Sequence, residues 1–178
     1  MTSKSLFNYV YGELASPSED IKKNFEEKYN KVKSEGFDIV KLARELGIYV
    51  FKSDDLGDKV SGMIGYDGFN FNIYLNSKNS IARNIFTIAH EIAHFVCDND
   101  EIKQGAKFRD GDYKIKLDDT NRAKEVRANQ MAAEMLMPGE EFIKLWNDGK
   151  TIKDLIKIFK VSEDAIKVRA NYLLGVIW

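Results

Sequence analysis

Cysteine, proline and histidine are scarce in this chain, with one, two and two copies among 178 residues. A lone cysteine excludes an internal disulfide framework and suits a reducing compartment. Charge of one sign is lacking too. With 27 basic and 28 acidic residues the formal net charge is −1, so the basic surplus of an obligate nucleic-acid binder is missing. No stretch approaches the roughly 20 apolar residues of a membrane span, and Met1 to Glu13 has no unbroken apolar core of the signal-peptide kind. These absences lead us to expect a soluble cytoplasmic protein without a membrane partner. What is present is globular. Hydrophobic residues make up 44% of the chain, and its length suits one domain with a proper core over 1–178. Within it we expect a helical amino-terminal extension (1–36), a core carrying the site (37–138) and a helical carboxyl end (139–178).

Both histidines fall in one stretch, Ile81 to Cys97. Its apolar residues Ile81, Ile85, Ile88, Ile92 and Phe95 or Val96 recur at helical spacing, so one face should pack inward. His90 and His94 lie one turn apart and project from the same side, as ligands of a single metal ion must. Glu91 follows the first histidine directly, so it should point beside the ion, where a carboxylate can take a proton from an activated water. This is the H-E-x-x-H motif of zinc peptidases. The rival reading, two solvated histidines on a surface helix, fits poorly with the apolar residues around them, since unpaired buried imidazoles are costly.

In chain order, Ser16-Pro17-Ser18-Glu19 reads as a helix start with Ser16 as cap, followed by the inward stripe Ile21, Phe25, Tyr29 and Val32 and a stop at Gly36. Asp38 to Leu46 predicts a second short helix, and Ile48 to Phe51 a strand. Gly62 to Tyr66 and Phe69 to Leu75 flank Asp67-Gly68, the signal for a tight antiparallel hairpin with one buried and one polar face. This hairpin should also offer a sheet edge beside the metal helix, on which an extended peptide can add as a strand. Asn79 or Ser80 should cap that helix. Asp98 to Asp119 shows no clear period and reads as an excursion outside the core. Thr120 to Met137 predicts a strong helix whose alanines allow close approach, and Glu140 to Trp146, Ile152 to Phe159 and Glu163 to Leu174 predict a helical end. The expected class is therefore α+β, mostly helical, with a small antiparallel sheet of about three strands.

A catalytic zinc usually has three protein ligands. Glu125, on the alanine-rich helix with Asn129 one turn later as its supporting neighbour, is the favoured third. Asp100, six residues after His94, is the alternative. That spacing matches a metzincin pattern, which wants glycine where Cys97 stands. Cys97 itself reads as a small buried residue.

Phe86 to His94 and Glu125 to Pro138 together resemble the ImmA/IrrE family of metallo-endopeptidases, and Asp38 to Ile48 and Ser61 to Ile64 match as well. The likeness covers roughly Phe37 to Arg169. It implies a gluzincin-like zinc peptidase with one zinc per chain, whose third ligand is the glutamate of E-x-x-A-N, here Glu125. It also implies a protein substrate, an Xre-type helix-turn-helix repressor of a mobile element, prophage or stress regulon. The competing reading is a zinc-stabilised module that sequesters a protein or DNA partner without hydrolysis. Ile152 to Leu174 has a helix-turn-helix layout, with Lys150, Lys153, Lys157, Lys160, Lys167 and Arg169 available for phosphates. Its second helix opens with Glu163 and Asp164, which would repel DNA, so direct nucleic-acid binding is disfavoured. Arg109, Tyr113 and Tyr172 are the residues considered for stabilising an oxyanion.

Overall fold

The computed structural model describes residues 17–110 and 119–178, with the backbone alone at 108–110. Its first helix, α1 (Glu19–Ser34), is capped by Ser18, whose hydroxyl accepts from the Ile21 amide. The cap therefore lies two residues past the expected Ser16, which falls outside the described residues. Phe25, Tyr29 and Val32 are buried as their spacing predicts, and Gly36 takes a positive φ beyond the helix end. Asp38 caps α2 (Ile39–Glu45) by accepting from the amides of Val40 and Lys41 at 2.8 and 3.0 Å.

Four strands follow in one mixed sheet: β1 (Ile48–Ser53), β2 (Gly62–Tyr66), β3 (Phe71–Asn76) and, after two helices, β4 (Phe108–Asp110). The spatial order is β1-β3-β2-β4. β1 runs parallel to β3, while β2 is antiparallel to both β3 and β4. The α+β class holds, but the sheet is mixed, because β1 joins β3 in parallel, and it has a fourth strand, because β4 pairs with β2.

Three expectations about the hairpin are corrected. Its connection is four residues, Asp67 to Asn70, since Tyr66 pairs with Phe71 and the Asp67 carboxylate accepts from the amides of Phe69 and Asn70. That side-chain turn leaves Phe69 outside the strand, 89% exposed. Nor is the alternate face of β3 open to solvent. Asn72 and Asn76 are buried, satisfied by Asp67 and by the carbonyls of Gly57 and Val60. Both hairpin strands are interior, so the free edges among the described residues belong to β1 and β4.

α3 (Ile81–Cys97) begins at Ser80, which caps it through the Arg83 amide. β2 lies close against this helix. A side chain at Gly62 would collide with the Thr87 methyl group and the Tyr74 carbonyl, so only glycine lets the strand sit this near to the residue three positions before His90. The stretch expected to be a non-core excursion instead holds α4 (Asn99–Lys103), with Ile102 fully buried, and β4. α5 (Asp119–Leu136) packs along α3, with Ala128, Met131 and Ala132 buried between them. The alanines leave no side chain to hold the two backbones apart.

The carboxyl end comprises α6 (Gly139–Asn147), α7 (Ile152–Phe159) and α8 (Glu163–Leu174). Phe142 of α6 is fully buried and stacks on Phe159 of α7 with ring centroids 5.8 Å apart. Arg169 of α8 is buried, gives hydrogen bonds to the Met137 carbonyl and pairs with Glu134. It is a structural tie to α5 and not a phosphate contact, and Lys167 pairs with Glu163. The helix-turn-helix layout thus lacks two of its six expected basic contacts. Among the described residues no helix is long and apolar enough to cross a membrane.

Candidate metal centre

From Thr87 to Cys97 every residue of α3 is buried. The sheet covers one side of this stretch and α5 the other, so the polar residues of H-E-x-x-H stand in the interior. Helical spacing brings His90 and His94 together, with their Nε2 atoms 3.1 Å apart. α5 supplies the third group. Glu125 places one carboxylate oxygen 3.1 Å from His90 Nε2 and the other 3.3 Å from His94 Nε2.

The other ring nitrogens are fixed from behind. His90 Nδ1–H donates to Asn129 Oδ1 at 3.0 Å, and His94 Nδ1–H donates to Asp98 Oδ2 at 2.9 Å. Both partner atoms can only accept, so each neutral ring carries its lone pair on Nε2. Two lone pairs and a carboxylate then face one another across little more than 3 Å. Such a set requires positive charge at its centre, and zinc suits it. With Zn–N and Zn–O bonds of about 2.0–2.2 Å, ligand atoms around a tetrahedral ion lie roughly 3.3 Å apart. The three groups offer donor atoms that all fall within 4.8 Å of one another.

The titration behaviour of the ion-free site expresses the same demand. Burial opposes charge on His94, but the hydrogen bonds to Asp98 and Glu125 outweigh it and raise its pKa. Burial likewise works against ionised Glu125, and the facing imidazoles of His90 and His94 hold it down at about 2.

The structure brings Glu125 and Asn129 to the histidines. Asp100, the alternative ligand, is exposed on α4. Asp98, which sequence reasoning passed over, sits behind His94 and is bound on its other oxygen by Arg127 at 2.6 Å. Its signal was the i,i+4 spacing from His94. Glu91 is wholly buried one position after His90 and is not one of the three converging groups. Cys97 is buried, and burial pushes its thiol up to about 11, in keeping with a packing role. Tyr172 is half-exposed on α8. The Arg109 side chain and Tyr113 lie outside the described residues.

The Peptidase_M78 family, described as the IrrE N-terminal-like domain, matches residues 43–171, a span that includes His90, Glu91, His94, Asp98, Glu125 and Asn129. The chain belongs to the ImmA/IrrE metallopeptidase family. A search among curated proteins finds no match. Among solved structures, a Mycobacterium tuberculosis transcriptional regulator is similar at 17% identity with a TM-score of 0.58, covering 96% of this chain and 52% of that one. At that identity the likeness concerns the fold alone, and this chain spans about half the length of that regulator.

Proposed function

We propose that the chain is a zinc-dependent endopeptidase in which His90, His94 and Glu125 hold one ion and Glu91 is the general base. The observation that carries this reading is the convergence of two Nε2 lone pairs from an H-E-x-x-H helix with a carboxylate from α5, in a chain of a peptidase family. Bound there, zinc would supply Lewis acidity toward a water and toward the peptide carbonyl. The chain's own residues do the rest. Asn129 and Asp98 hold the two imidazoles in one tautomer and orientation, so that both ligand atoms are in place before anything binds. Glu91 accepts the proton of the attacking water on its carboxylate and passes it to the nitrogen of the leaving amine, which departs as a neutral amine.

For the substrate we propose an Xre-type helix-turn-helix repressor, cut in the cytoplasm at an exposed or locally unfolded linker. Family resemblance supports this, and a structural neighbour carries the name of a transcriptional regulator. Glu91→Gln tests the core of the proposal, since the amide is nearly isosteric but cannot take the proton. The variant should retain about one zinc per chain and lose at least ~10²-fold in cleavage of a repressor substrate. Undiminished turnover would assign the base to another residue. Chelator-resistant cleavage by the wild-type protein would remove the metal from the mechanism.

A further inference from the structure

A cleft of about 540 Å³ opens between α3, α5 and α8, and no step described so far uses it. It begins one residue removed from the metal centre, at Asn129 on the Nδ1 side of His90. Phe86, on its wall, precedes His90 by one helical turn, and Asn129, also on its wall, is the residue that accepts from His90 Nδ1. Ala133, one turn past Asn129, continues the same wall along α5. The opposite wall is α8, which presents Val168 and Tyr172, one turn apart.

These two side chains are 70% and 48% exposed, and the basic residues Lys167 and Arg169 of the same helix are engaged elsewhere. Two arginines line the cleft as well. Arg169 is committed to Glu134 and to the Met137 carbonyl, and Arg83 donates from Nε to Ser61. Ser80, Gln130, Ser162 and Asp164 also line the cleft, but ring, methyl and branched aliphatic surface makes up most of it.

On these grounds we infer that the cleft is a specificity subsite that takes a large apolar side chain of the peptide substrate, with Val168 and Tyr172 as the residues that select it. The inference rests on the peptidase reading and names the chemistry of its substrate. One helical turn is about 5.4 Å and an extended peptide advances about 3.3 Å per residue. A side chain within a few residues of the scissile bond therefore reaches the cleft. The volume lies within the roughly 300–1,000 Å³ of ligand sites, enough for several side chains of one segment. It also assigns α8 a task. The helix that a DNA-binding layout would turn toward a groove instead forms the far wall of a substrate channel.

The test uses the full zinc-loaded chain carrying Glu91→Gln, which captures peptides without cutting them, panned against a library of short random peptides. Captured peptides should share a large apolar residue. Adding Val168→Asp, on a side chain exposed enough that folding and zinc uptake should be unchanged, should lower affinity for those peptides by about tenfold or more and shift the captured residue toward lysine or arginine. Tyr172→Ala should weaken capture without that change of sign. Captured peptides with no apolar preference, or the same selection and affinity in the Val168→Asp variant, would overturn the subsite. Cleavage of the captured sequences by wild-type protein is a separate arm. If binding follows the stated pattern but nothing is hydrolysed, the subsite stands and the peptidase reading fails; if cleavage occurs with no apolar preference, the reverse holds.

Discussion

Asp98 joins the two helices that carry the proposed ligands. One carboxylate oxygen accepts from His94 Nδ1–H on α3, and the other binds Arg127 on α5, two residues from Glu125. Burial alone would raise its pKa, but the hydrogen bond with His94 and the Arg127 guanidinium bring it below the ordinary carboxylate range. Asp98→Asn should act twice. The amide cannot hold His94 in the same charged hydrogen bond, and Arg127, only 8% exposed, loses its counter-charge. We expect zinc affinity to fall about 10–100-fold, measured by competition with a chromophoric chelator. Stability of the ion-free protein should fall by about 3–5 kcal/mol, read from urea unfolding, because a buried charge is left uncompensated. Unchanged zinc affinity would show that His94 holds its orientation without this partner.

The metal helix is held between the sheet and α5, and its position depends on small residues on both sides. Ala128 and Ala132 let α5 come close enough for Glu125 to reach the histidines, and Gly62 lets β2 lie directly on Thr87. Gly62→Ala should therefore destabilise the protein by about 1–3 kcal/mol as an overpacked contact. Thermal unfolding checks this. Adding Thr87→Ala should recover part of the loss, because the methyl clash is removed while the Tyr74 carbonyl remains. A Gly62→Ala protein as stable as wild type would mean that β2 can lift from the helix at little cost.

At the scale of the whole molecule, the proposed ligands come from different elements, so zinc bound as proposed would favour the folded chain over the unfolded one, which has only the local histidine pair. Zinc at about 100 times its dissociation constant should add roughly 2.7 kcal/mol, or about 5–10 °C in a chain of this size. The gain depends on pH through His94, whose folded pKa is raised in the ion-free protein. Its proton stabilises the ion-free fold below the unfolded value of about 6.5, and that contribution is lost as pH rises through the raised folded value. Zinc must displace the same proton. The difference in Tm between zinc-loaded and chelator-treated protein should thus widen as pH rises from about 6 and shrink below it, while Glu125, held at about 2, stays ionised throughout. Calorimetry across that range decides this; a pH-independent difference would exclude His94 as a ligand.

Some of this was set by sequence alone, because it depends only on local spacing. A period of 3.6 residues puts His90 and His94 on one face, Asp38 and Ser80 cap their helices through their own nearest amides, and the stripe from Phe25 to Val32 turns inward wherever the helix docks. The glutamate of a distant helix was legible as a candidate through its motif and its neighbour Asn129. Its arrival at the histidines depended on how closely α5 packs. Other features have no local period at all. Arg127 meets Asp98 across 29 residues, Asn76 is buried because a loop 16 to 19 residues earlier folds over it, and β4 closes the sheet beside β2 and takes the edge from the hairpin. Sequence spacing determines which way a side chain leaves its own element; what it meets there is decided by the packing of elements, whose energy is shared among many distant contacts.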